Sequence, residues 1–301
     1  MTPVAPFLPT AFVAHSDVSL HDTGWGHPDH QGRLPALTRA VYRDMMALHP
    51  ALLEVEATPA TVDDLLLAHS AEYVEAVRAA ADAAAAAGPP QRFGDAGGMI
   101  SAASWNAALA SVGAGLTAIR EVSDGHARNA FCVSRPPGGD VSRDRQDGFG
   151  FFNHTAIAAL HLRRRVDAER VLVVEWSDRP TVGTAGLLAS AGGCRLVGIH
   201  RRILSADADL DDLQTAQVDR LDRATERWAP DWIVVGCGFD LLDELHFDVA
   251  AAHALTKDIR KRADDLCDGR IVSLLEGGYD AARLGGAAVQ HLRALADLPQ
   301  G

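Results

Sequence analysis

Nowhere in the 301 residues do about 18 apolar side chains run together, no Cys-x-x-Cys pair occurs, and basic residues are few, 28 against 40 acidic ones. Each shortage excludes something. Without an apolar stretch of roughly 18 residues or more no helix crosses a bilayer, so no membrane partner is expected. The four cysteines, Cys132, Cys194, Cys237 and Cys267, stand too far apart for a zinc ribbon or a redox pair. They read as small buried residues in a reducing compartment. A formal charge of -12 repels phosphate backbones, so no nucleic-acid partner is expected. The opening MTPVAPFLPTAFVAH lacks a basic segment and a long apolar core, which reads as no signal peptide and predicts a cytoplasmic protein.

What is present is ordinary for a folded chain: 48% hydrophobic and 23% charged residues, enough length for a sizeable core, and no internal repeat. Short β-branched runs at residues 10–13, 129–133, 170–175, 194–199, 232–237 and 270–275 alternate with helical stretches. These stretches cover 34–48, 61–67, 71–87, 102–122, 154–165, 211–229, 250–266 and 282–295. Several strand runs are continuously apolar, the pattern of parallel strands covered on both faces. The alternation predicts a doubly wound α/β sheet. No composition shift marks a boundary, so residues 1–301 are read as one domain; the alanine-rich stretch before Gly88-Pro89-Pro90 reads as a helix end rather than a linker. In such sheets the chemistry sits in the loops leaving the C-terminal strand ends. Thirteen histidines, the commonest metal ligands, raise the question of a metalloenzyme.

Those loops carry the informative motifs. The chain reads HDTGWGHPDHQGRL and LLLAHSAEYVEAV early, then SRPPGGDVSRDRQDGFGFFNH, VVEWSDRPTVGT, VGCGFD and LLEGGYD, each of the last four after a predicted strand. In this order they resemble the zinc-dependent deacetylases of the arginase/deacetylase fold, a family that includes histone deacetylases, acetylpolyamine amidohydrolases and acetoin-utilisation-type proteins. The resemblance covers nearly the whole chain. It implies a three-layer α/β/α fold with a central, mostly parallel sheet, and a tunnel for an acyl-lysine above a zinc ion.

Residue by residue, the resemblance also implies departures. Where the family has a histidine pair after Arg-Pro-Pro-Gly, this chain has Gly139 and Asp140; Gly148 and Phe149 match the tunnel wall, while Gly150 and His154 replace a cysteine and an asparagine. Register set by Gly183-Thr184 places Glu175 at the first aspartate, Ser177 at a ligand aspartate, Arg179 at the ligand histidine and Asp178 between them. A guanidinium has no acceptor and stays protonated, so Arg179 cannot hold a cation. Asp240 alone is kept of the three zinc ligands, and Glu276-Gly277-Gly278-Tyr279 matches the loop whose tyrosine steadies an oxyanion. Gly97, in Asp95-Ala96-Gly97-Gly98, stands where the family grips substrate backbone, and the rim after His200 is short.

No metal ligand set and no cofactor are therefore expected, zinc included, and the monovalent-cation site implied beneath the zinc stays undecided. His21, His27, His30 and His69 match structural positions of the family, whereas His154 and His246 could reach the pocket. A buried unpaired Asp240 would be costly, which predicts Arg179 in the metal's place, paired with Asp240 and taking Asp140 or Glu175 as a second acceptor. Three functions stay open. The first is a pseudo-deacetylase that binds a small molecule, an acyl-lysine-like ligand, a protein partner or a second copy of itself. The second is a metal-free hydrolase using Asp140, Glu175, Asp178, Arg179, His154 and Tyr279. The third is residual metal-dependent amide hydrolysis.

Overall fold

In a computed structural model, described for residues 8–94, 96–205 and 207–301, seven parallel strands form one sheet between two helical layers. The opening MTPVAPF and Asp95 lie outside the described residues. Along the chain run β1 (Thr10–Ala14), α1 (Arg33–Arg43), α2 (Met45–Leu48), β2 (Leu52–Glu56), α3 (Val62–Leu65) and α4 (Ala71–Ala87). A two-stranded antiparallel ribbon, β3 (Gln91–Phe93) and β4 (Gly98–Ile100), precedes α5 (Ser104–Ser123), β5 (Asn129–Cys132) and α6 (His154–Arg165). Then follow β6 (Val171–Ser177), α7 (Val182–Leu188), β7 (Cys194–His200), α8 (Leu210–Thr225), β8 (Trp232–Cys237), α9 (Asp240–Glu244), α10 (Ala251–Cys267), β9 (Ile271–Leu275) and α11 (Ala281–Leu295).

The strand order is β2-β1-β5-β9-β8-β6-β7, every pairing parallel. This is the expected α/β/α fold. Alternate side chains of one strand feed two cores: Val171 and Val173 of β6 belong to the core that α4, α5 and α6 also line, while Leu172, Val174 and Trp176 belong to the one that α1, α8, α10 and α11 line. A strand buried on both faces has no polar side to show, which is why it reads as a continuous apolar run. Among the described residues, no helix is long and apolar enough to cross a membrane.

Three local departures from the sequence reading have physical causes. The helix expected over 34–48 is broken at Asp44, whose carboxylate is taken by Arg293 of α11 at 2.7 and 3.0 Å. The edge strand β2 is LLEVE, with Glu54 and Glu56 exposed, and the charges hide its strand character. Short α7 and α9 begin within the loops that carry the motifs and were not expected as helices.

The sheet also sets the site. In register, Glu175 at the end of β6 lies beside Gly198 of β7 and Gly236 of β8. A Cβ on Gly236 would stand 3.0 Å from the Glu175 side chain, so the glycine makes room for a carboxyl group inside the sheet.

Candidate functional site

The loops leaving β5, β6, β8 and β9 enclose a cavity of about 60 Å³ at the C-terminal edge of the sheet. Asp140, Gly148, Phe149, Glu175, Ser177, Asp178, Arg179, Asp240, Gly277 and Tyr279 all line it. Gly278 does not; it lies behind the wall, and its carbonyl accepts a hydrogen bond from Arg33 Nε at 2.7 Å. His246 is exposed beyond α9 and lines nothing in the cavity.

The wall rests on a buried ionic anchor. Asp29 Oδ1 accepts from Arg33 Nη1 and from Arg135 Nε (3.1 Å), and all three side chains are fully buried. The remaining guanidinium N–H groups donate to main-chain carbonyls: Arg135 to His21 and Asp29 (2.6 Å each), Arg33 to Glu276 (2.9 Å). Arg33 also lies against the Tyr279 ring, 4.7 Å from its centroid, and Phe149 meets that ring edge-on at 5.4 Å. Burial outweighs the attraction of Asp29 and pushes His21 down to about 3, so its imidazole is neutral.

Glu276 holds the first loop in place. Its Oε2 accepts the backbone N–H of Gly138 (2.6 Å) and Gly139 (3.1 Å), and its Oε1 accepts the Thr155 hydroxyl (2.8 Å). His154 Nε2 stands 2.9 Å from Oε1 but off the hydrogen-bonding direction, and neither of its ring nitrogens has a hydrogen-bond partner. Burial alone would raise the Glu276 carboxyl; the His154 imidazole and the donated hydrogen bonds outweigh it and hold the group below its usual value. His154 thus touches the pocket only through Glu276. It is the first residue of α6, fixed there by Asn153, whose side chain caps the Ala156 N–H at 2.8 Å. His69 braces the same turn, accepting the Asn153 N–H at 3.0 Å on Nε2.

The other carboxyl groups are less well served. Glu175, 2% exposed, accepts from Thr184 Oγ1 at 2.7 Å and from the Thr181 hydroxyl; burial pushes it up to about 8. Asp240 takes the Asp178 N–H on Oδ2 at 3.1 Å, while Oδ1 is buried without a partner. Burial, and after it the Asp178 charge, pushes Asp240 up to about 7. Both oxygens lie against the next loop: a Cβ on Gly277 would stand 2.0 Å from Oδ1.

The expected Arg179–Asp240 pair is not formed. Arg179 Nη2 donates to Asp140 Oδ2 at 2.6 Å and Nη1 lies 3.3 Å from Asp178 Oδ2, with the Arg179 side chain 52% exposed. Asp240, the first residue of α9, is folded against Gly277, and reaching it would strip water from the guanidinium. The rim carboxylates offer the same charge at less desolvation. Glu175 is no second acceptor either: Arg179 is directed at Asp140 and Asp178, while Glu175 accepts the hydroxyls of Thr181 and Thr184. Glu276 is the site residue that sequence reasoning passed over. Its signal was an acidic side chain directly after the apolar run of β9.

The histone deacetylase domain profile matches residues 27–202 and 197–295. The chain is similar to the histone deacetylase-like amidohydrolase of Pseudomonas aeruginosa, 30% identical over 287 residues that cover 85% of this chain and 72% of that protein. It is also similar to histone deacetylase 14, chloroplastic, of Arabidopsis thaliana, 26% identical over 311 residues covering 89% of this chain and 73% of the relative. The crystal structure of the HDA15 HD domain superposes with a TM-score of 0.82 at 21% identity, covering 97% of this chain and 90% of that one, which is a likeness of fold.

Proposed function

The chain belongs to the histone deacetylase family, and from that premise we propose that its pocket binds a ligand and does not hydrolyse acyl-lysine, a pseudo-deacetylase. The observation that carries this reading is the Asp140–Arg179 ion pair, 2.6 Å, formed by the two residues standing where the family resemblance sets a catalytic histidine and a zinc-ligand histidine.

The donor set does not fit zinc. A catalytic zinc takes about three protein ligands and an open position. Of Ser177, Arg179 and Asp240, Arg179 can only donate and is engaged with Asp140 and Asp178, and the Ser177 hydroxyl donates to the Arg179 carbonyl. Asp240 is left as a single carboxylate. Among the described residues no three His, Cys, Asp or Glu side chains converge to hold a metal ion.

One observation favours a second reading, metal-free hydrolysis in the same pocket. Glu175 and Asp240, raised by burial to about 8 and about 7, lie in the range where a carboxyl group works as a general acid or base near neutral pH. Against it, Glu175 is buried and each of its oxygens already accepts a threonine hydroxyl.

Acetate release from acetyl-lysine peptides, measured together with the metal content of the purified protein, separates the readings. The expected result is no stoichiometric zinc and no release. The variant Gly139→His, Asp140→His, Ser177→Asp, Arg179→His restores the family's ligand and base residue types and is expected to take up zinc; a Cβ at position 139 would stand 3.1 Å from Thr181, a side chain that must shift slightly. Release by the wild type that a chelator stops would overturn the proposal. Release that survives the chelator and disappears in Asp140→Ala would establish the second reading.

A further inference from the structure

We infer that a second cavity, between α6 and α7, binds a small phosphomonoester. It shares no lining residue with the strand-end pocket, so the inference goes beyond the reading above.

This cavity encloses about 350 Å³ between α6, α7, the turn after α3 and the loop that follows β5. Its charged lining is Arg143 from that loop and Arg164 from the last turn of α6, with no carboxyl group beside them. The strand-end pocket and three further cavities of the described residues each carry at least one aspartate or glutamate. In a chain with 40 acidic against 28 basic side chains, a concavity of unmixed positive charge is a local reversal, and its field concentrates anions.

The two guanidiniums have donors to give. Of the three consecutive arginines that close α6, Arg165 is paired with Asp64 at 2.6 Å and Arg163 donates to the Gly192 carbonyl at 2.8 Å. Arg164 between them makes a single hydrogen bond among the described residues, from Nη1 to the Leu67 carbonyl at 3.1 Å, which seats it on the cavity wall. The Asp144 carboxyl, next in the chain to Arg143, lines the adjoining cavity with Tyr73 and Phe93 instead. The loop that presents Arg143 is held in place: its carbonyl accepts the Ser70 N–H at 3.3 Å, and His69, whose Nε2 accepts from Asn153, donates through Nδ1 to the Ser142 carbonyl at 3.0 Å. A backbone fixed before binding spares the ligand the cost of ordering it.

Donor number selects the anion. Two guanidinium forks and the hydroxyls of Ser142 and Ser190 exceed what the two oxygens of a carboxylate can take, and suit the three terminal oxygens of a phosphomonoester. Leu67, Leu160 and Leu187 supply an apolar floor for its organic part. The carbonyl end of α7 opposes an anion, by less than one charge-assisted hydrogen bond to a guanidinium contributes.

The test is calorimetric titration of the full chain, at low ionic strength, with phenyl phosphate, inorganic phosphate and benzoate. Wild type is expected to bind phenyl phosphate more tightly than benzoate, and about tenfold more tightly than inorganic phosphate, as roughly two methylene groups' worth of buried surface gives. Arg143→Gln and Arg164→Gln are each expected to weaken phenyl phosphate about tenfold or more through lost charge-assisted bonds. Both side chains are exposed, so the fold tolerates their replacement. Arg195→Gln, which removes a guanidinium held over the Trp228 ring at 4.4 Å, is the control for charge alone and is expected to leave affinity unchanged, as is Arg179→Gln. No binding of phenyl phosphate, an equal loss in Arg195→Gln, or a loss in Arg179→Gln with both cavity variants unaffected would overturn the inference. Benzoate or inorganic phosphate bound as tightly as the ester would overturn the assignment of a phosphomonoester.

Discussion

Asp29 and Arg179 are centres of two ionic clusters built from the same two residue types in inverse proportion. Around Asp29 one carboxylate serves two guanidiniums, all fully buried. Around Arg179 one half-exposed guanidinium serves two carboxylates, with Asp240 and Glu175 behind them. An excess of guanidinium is easily absorbed, because folded chains always have spare carbonyl lone pairs, and here those of His21, Asp29, Glu276 and Gly278 take the surplus N–H groups. An excess of carboxylate is not, since most backbone N–H groups are already bonded; Asp240 obtains only that of Asp178. The first cluster is finished by the chain itself. The second is completed only by protons or by something from outside.

The largest effect is expected at the first cluster. Asp29→Asn leaves two buried guanidiniums without a counter-charge, and breaking a buried pair in this way costs about 3–5 kcal/mol. Urea unfolding of the variant measures it; a loss no greater than that of a rim variant would erase the distinction between the clusters.

Next come opposite responses to pH. Glu175 has a folded value near 8 against an ordinary 4.5, so its contribution to stability is whole below pH 4.5 and is lost as pH rises toward 8. Glu175→Gln is therefore expected to match the wild type at pH 4.5 and to exceed it by a few kcal/mol at pH 9. His21 runs the other way: with a folded value near 3 against 6.5, its contribution is whole above pH 6.5 and is lost as pH falls toward 3. Thermal melts from pH 4 to pH 9 of wild type, Glu175→Gln and His21→Gln check both limbs. An unchanged alkaline limb in Glu175→Gln would refute the account of the pocket.

The smallest effect belongs to the rim. Asp140→Asn and Arg179→Gln are each expected to change stability by about 1 kcal/mol or less, as for other partly exposed pairs. The same urea experiment reads it, and a loss of several kcal/mol would mean that the rim pair is structural.

How much of this was legible in the sequence depends on what each feature answers to. Strands β5, β6, β8 and β9 stand in the sheet's middle and were visible as apolar runs, because burial on both faces leaves only apolar side chains to write the pattern. Edge strand β2 and the three-residue ribbon strands answer to neighbours and turns instead, and their Glu54, Glu56 and Arg92 obscured them. At the site, the positions of Asp140, Arg179 and Asp240 could be read from loop motifs. Their pairing could not, because it turns on Asp240 packing against Gly277, a contact between residues of two different strand-end loops. Glu276 was a letter in a motif until the structure showed four groups converging on it.

The anchor at Asp29 has a consequence for the order in which the molecule is made. It ties together residues 21, 29, 33, 135, 276 and 278, so its last partners leave the ribosome some 255 residues after its first. Until Glu276 and Gly278 emerge, Arg33 lacks two of its acceptors, and the floor beneath Tyr279 does not exist. Contacts so distant along the chain form late and slowly. A chain stalled before β9 lacks the loop that brings Glu276, Gly277 and Tyr279 to the cavity wall, so the pocket closes only after that loop has emerged.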